Sequence, residues 1–221
     1  MTSNEKRHRI SIPKYSLSEE LINAISHGCG AIFGVVAVVL LVLKAAGTSD
    51  PYRIVSAAVF GAMIVVLYLM SCLYHALKVN KAKRVFRVID HCSVFLLIAG
   101  TYTPFALVTL NGTLGWWLLI LIWTIAIVGI TLNAVDLKRF SKISVACYLI
   151  MGWIIIFAFN PLSAAMDPRG LSLLIWGGVV YTVGAILYGI GSKIKYFHSI
   201  FHFFCLGGTI LHFIAIYSYV I

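Results

Sequence analysis

The stretch KIKYFHSIFHFFCLGGTILHFIAIYSYV, residues 193–220, sets two lysines in front of a run with no charged side chain. As a helix, residues 197–220 reach about 36 Å at ~1.5 Å per residue, enough to cross a hydrocarbon core of about 30 Å. Six comparable runs precede it, and the expected spans are about 21–46, 53–77, 88–110, 114–135, 143–163, 171–191 and 197–220. Over its 221 residues the chain is 61% hydrophobic and 11% charged, with a mean hydropathy of +0.99. Soluble domains carry about 25% charged residues. The reading is an all-α, polytopic membrane protein with seven transmembrane helices over residues 21–221, behind a tail of residues 1–20. Continuous runs argue against a β-barrel, whose spans are alternating segments of about ten residues. The tail reads as mobile up to about Ser16. The five cysteines fall inside spans without disulfide spacing and read as small apolar residues.

Lys and Arg give the expected orientation. Fourteen of the seventeen lie in the N-terminal tail and in the second-to-third, fourth-to-fifth and sixth-to-seventh connections. Lys44, Arg53 and Arg169 alone fall on the other side. By the positive-inside rule the N-terminus is cytoplasmic and the C-terminus outside. The net charge of +10 then reflects topology and anionic headgroups. Nucleic acid is not an expected partner, because the cations are spread over four short segments.

Orientation assigns each intramembrane polar residue a height. His198 and His202 share one face at the inner start of the seventh helix, four residues apart. His75 lies about a turn from the inner end of the second, with Ser71 a turn deeper on its face. Asp90 lies in the first turn of the third. Glu20, Asn23 and His27 run along one side of the first. These residues share the inner third of the bilayer, where polar groups are costly and face the bundle interior. Three histidines with one position left open suit a catalytic zinc, although ligand type alone leaves copper, iron and nickel open. Asp90 suits a fourth ligand, an acceptor for a ligand's far nitrogen or a general base, and also suits a helix dipole. Ser71 suits either the site or its own i−4 carbonyl. Glu20 suits the dipole of the first helix, and Ser16 or Ser18 with Glu19 reads as its cap. His91 is about 100° around the helix from Asp90, so the two are not both expected to face the centre. His212, about 15 Å beyond His202, is too far to share its metal. Pro104 and Pro161 predict local kinks.

Four segments, EELINAISHGCG, SCLYHAL, DHCSVFLLIAGTYTPF and HSIFHFF, come in an order that resembles the hemolysin III group of the progestin and adiponectin receptor (PAQR) superfamily. The likeness runs from about Ser16 to the end. It implies seven helices with the N-terminus inside and zinc on His75, His198 and His202. It places Asp90 near the metal-bound water, with Ser71 beside it. It also implies a membrane lipid, such as a lipid amide, as substrate or ligand, and a bacterial inner-membrane location. Three functions are therefore weighed: a zinc-dependent lipid amide hydrolase, a non-enzymatic sensor or regulator of membrane state with structural zinc, and a pore-forming cytolysin.

Overall fold

The structure is a computed structural model that describes residues 12–191 and 194–221. Lys6, Arg7, Arg9 and Lys193, four of the cations counted above, lie outside the described residues. All regular structure among the described residues is helical: α1 (Leu17–Ala46), α2 (Pro51–Ala76), α3 (Lys81–Pro104), a π segment (Phe105–Leu110), α4 (Gly112–Trp153), a 3-10 turn (Ile154–Ala158), α5 (Phe159–Ala165), α6 (Pro168–Gly191) and α7 (Phe197–Tyr219). Among the described residues six stretches are long and apolar enough to cross a membrane, the fourth being the 54-residue run Gly112–Ala165. Outward-facing Phe157, Val135 and Trp117 are 91%, 75% and 68% exposed, as expected for surfaces that meet lipid rather than water.

Local chemistry sets the helix starts. Ser16 and Glu19 close a reciprocal capping box on α1, which begins at Leu17, earlier than the apolar run itself. Asp50 caps α2 through the Tyr52 amide, ahead of Pro51 in the first turn. Asn80 caps α3 through the Lys83 amide, so this helix starts at Lys81 rather than near 88. Hydropathy alone could not find that start, because residues 81–87 are basic and extend the helix beyond the apolar band.

The expected connection between residues 135 and 143 is also helical apart from one residue. Asp136 has φ −154° and ψ 87°, and its carboxylate accepts the Arg139 amide to cap the segment that follows. Ser144 Oγ donates to Asn133 Oδ1 at 2.6 Å. In a straight helix these two residues would stand about 16 Å apart. The chain therefore folds back at Asp136, and fully buried Asn133 joins the two arms. Gly129 fits α4 against α3, since a Cβ there would lie 2.2 Å from the Phe95 ring.

Both prolines act as expected. The helix changes to π geometry after Pro104 and to 3-10 geometry ahead of Pro161. Tyr102 serves the second break. Its hydroxyl donates to the Met151 carbonyl at 2.6 Å and accepts the Ile155 amide at 3.0 Å. Backbone groups released in a lipid environment are satisfied in this way. All five cysteines are free.

Candidate metal centre and cavity

His75 lies in the last turn of α2, before Leu77 leaves the helix in an extended conformation. His198 and His202 occupy the first two turns of α7. The Nε2 atoms of His198 and His75 are 3.3 Å apart, and those of His202 and His198 3.1 Å. One ligand atom from each residue lies within 4.8 Å of the other two. His75 and His202 are buried, and His198 is partly so.

A carboxylate sets the chemistry of His75. Its Nδ1 is 2.7 Å from Glu20 Oε2, so Nδ1–H donates and Nε2 keeps its lone pair facing the other two rings. Glu20 Oε1 accepts from Lys83 Nζ at 2.7 Å. Lys83, counted from sequence as a loop cation, is 1% exposed and also donates to the Leu77 carbonyl. Buried Asn23 approaches His75 Nδ1 to 3.4 Å. His27 stacks on His202, ring centroids 3.7 Å apart, and meets Tyr68 edge-on. His27 thus packs on a ligand-type residue and stands outside the converging set.

The donor set fits a tetrahedral ion. Two imidazole nitrogens on one zinc, with Zn–N of 2.0–2.1 Å, stand about 3.3 Å apart, close to both measured separations. Each nitrogen faces another of its own kind, and the His75 tautomer turns its own Nε2 lone pair toward the other two rings.

A cavity of about 340 Å³ opens beside the cluster, lined by His198, His202, Ser71 and Asp90 and running through a mainly apolar interior to His212. Ser71 and Asp90 line the same cavity wall. Asp90 and His91 both line the cavity, which is wide enough to meet adjacent faces of α3. His212 donates to the Leu174 carbonyl at 3.1 Å, far from the three-histidine set as expected. Nearby, Thr209 joins the hydroxyls of Tyr68 and Tyr181 in a buried network that the sequence did not reveal.

Tyr15 was also missed. Its ring stacks on His198 with centroids 4.9 Å apart and planes 18° apart, and it lines the cavity. Tyr15, in the stretch read from sequence as mobile up to about Ser16, thus packs against the site. One signal existed: Tyr15 directly precedes the Ser16 cap, where an apolar side chain commonly packs back on the fold. Burial pushes the Tyr15 phenol well above its ordinary range, so it stays neutral.

These features define a multi-pass membrane protein with a three-histidine group able to bind a metal ion beside an internal cavity. The chain belongs to the haemolysin-III related family, whose pattern matches residues 15–213. It is 43% identical to Hemolysin-3 of Bacillus cereus over 93% of both chains. It is 42% identical to a Hemolysin-3 homolog of Bacillus subtilis (strain 168), over 93% of this chain and 96% of that one. It is 23% identical to the human monocyte to macrophage differentiation factor, over 78% of this chain and 73% of the other. No solved structure matches it.

Proposed function

We propose that the protein is a zinc-dependent intramembrane hydrolase acting on a lipid amide. The observation that carries this reading is the convergence of three imidazole nitrogens, two pairs of them 3.3 and 3.1 Å apart, beside a cavity that His198 and His202 line together with Ser71 and Asp90. His75, His198 and His202 hold the zinc. When bound, zinc supplies Lewis-acid polarisation of the substrate carbonyl and activates water for attack. Asp90 takes the proton released from the attacking water and delivers it to the leaving amine. Ser71 holds the Asp90 carboxylate in place through its hydroxyl. Glu20 fixes the His75 tautomer, and Lys83 fixes Glu20. The apolar cavity takes the acyl chain and limits bulk water around the carbonyl.

In this reading α4 crosses the bilayer twice, once on each side of Asp136, which makes seven crossings in a bacterial inner membrane with the N-terminus cytoplasmic. Single cysteines at positions 81 and 138 then react with an impermeant maleimide from the cytoplasmic side, and cysteines at 112 and 169 from the other.

The central test is metal content. Detergent-purified protein is expected to hold about one zinc per chain, and the combined His75→Ala, His198→Ala, His202→Ala variant none. Equal content in the two proteins sinks the metal site. With zinc established, no turnover of any lipid amide or ester in a broad screen removes the hydrolase. A second reading, structural zinc in a non-enzymatic sensor, draws support from the cluster joining α2 to α7, elements distant in sequence. It predicts a large thermal shift on zinc addition and no turnover. The name of the Bacillus cereus relative raises a third, cytolytic reading, which requires conductance from the purified protein in liposomes.

A further inference from the structure

Residues 12–16 run without regular structure ahead of α1, yet they reach the histidine cluster. Tyr15 stacks on His198, lies 5.8 Å from the His75 ring, and with Pro13 lines the cavity shared with Asp90. The next turn is fastened to the far side of the site. Glu19 Oε1 accepts the Tyr196 amide at 2.9 Å, and Ser18 Oγ contacts the Tyr196 hydroxyl at 3.1 Å. Tyr196 has φ 66°, a left-handed conformation uncommon for a residue with a side chain, and immediately precedes α7. The fastening point is therefore the turn that launches His198. Glu19 also accepts from Ser16, so one carboxylate joins strap, cap and launching turn.

We infer that residues 12–16 form a lid over the histidine site, with Tyr15 as its closing side chain and the Glu19–Tyr196 contact as its latch. The strap has no backbone ladder, and Tyr196 and Ser18 are exposed. Glu19 is buried, but solvent reaches the latch from the exposed Tyr196 side, and a strap without a backbone ladder opens locally at low cost. Opening uncovers His198 and His75 to water and gives metal and small polar products a route that bypasses the apolar cavity. The inference rests on the metal-site reading for its purpose, but the closure can be measured without metal.

The experiment is carbethoxylation of histidines in metal-free, full-length protein by diethyl pyrocarbonate, read residue by residue by peptide mass spectrometry. Tyr15→Ala is expected to raise the rate at His198 by about tenfold, the scale of losing one local closing contact. Tyr15→Phe, which keeps the stacking ring, is expected to match the parent, and Glu19→Ala to fall between. His212, buried far from the lid, reports intact folding through unchanged slow reaction. An unchanged His198 rate in Tyr15→Ala overturns the lid. Should Tyr15→Ala also expose His212, Glu19→Ala decides, since it leaves Tyr15 in place: no acceleration there overturns the lid equally. In zinc-loaded protein, transfer to a chromophoric chelator should accelerate in the same order. Absence of zinc from the parent would fail the metal reading and leave the His198 rates to judge the closure.

Discussion

Glu20→Gln isolates the charge that holds the candidate metal centre together. In the parent the carboxylate sits between two buried side chains, His75 at 0% and Lys83 at 2% exposure, and is itself 18% exposed. Glutamine keeps the shape and removes the charge. Lys83 then retains the carbonyls of Leu77 and His75 as acceptors but no anion. Leaving a buried cation without its partner costs about 3 kcal/mol, the lower end of the range because Glu20 is partly solvated. In a chain of this size that lowers the midpoint of thermal unfolding by about 6–12 °C. The measurement is made on metal-free protein in detergent, so that ion-pair loss is not confused with metal loss. Glu20→Gln combined with Lys83→Met removes both charges and should recover more than half of the fall. Separately, loss of the anion on His75 Nδ1 should weaken zinc binding by about 10–100-fold in a competition titration. A midpoint within 2 °C of the parent, or a double variant no better than the single one, would refute the reasoning about Lys83; unchanged zinc affinity would refute it about His75.

Asp90→Asn should keep zinc stoichiometry and lose turnover by at least about a hundredfold, the usual scale of a general base, whereas loss of zinc would make Asp90 a ligand. Gly129→Ala drives a methyl into the Phe95 ring and should destabilise by about 1–3 kcal/mol in thermal unfolding, with Phe95→Leu in the same chain restoring much of it. Asn133→Leu removes the contacts of Asn133 to Ser144 and Tyr148 at the fold-back, leaving Ser144 only the Phe140 carbonyl, and should cost about 1 kcal/mol, with Ser144→Ala adding little to it.

Most of the helical architecture was legible because a bilayer demands long apolar runs, and those runs need no tertiary context to be seen. The limits of α3 and α4 were not legible from hydropathy. Asn80 extends a helix into basic sequence, and Asp136 interrupts one for a single residue, so both depend on capping chemistry. The histidine cluster was legible because positive-inside counting gave His75, His198 and His202 a common height, and the distances among their rings agree with it. Lys83 was not, because a lysine in a basic connection looks like every other topogenic cation until Glu20 is seen beside it. Tyr15 depended on a chain reversal between tail and bundle that no periodicity encodes. His27 shared the predicted height, but height does not set direction around the helix axis, and its ring faces His202 as a packing partner.

The fold-back at Asp136 also makes the bilayer a ruler for this chain. A continuous helix from Gly112 to Trp153 would be about 63 Å long, twice the hydrocarbon thickness, and would carry Asp136, Lys138, Arg139 and Lys142 beyond the first aqueous surface with a second apolar arm behind them. A straight rod would forfeit the Asp136 cap, the Asn133 contacts and the packing of Met151 with Phe95, Ile122 and Ala126. In a membrane the second arm has nowhere apolar to go unless the chain reverses. In the seven-crossing reading proposed above, lipid thickness favours the hairpin in addition to the packing and hydrogen bonds around Asn133. Detergent micelles of different size should accordingly change the stability of this region before they disturb the histidine cluster.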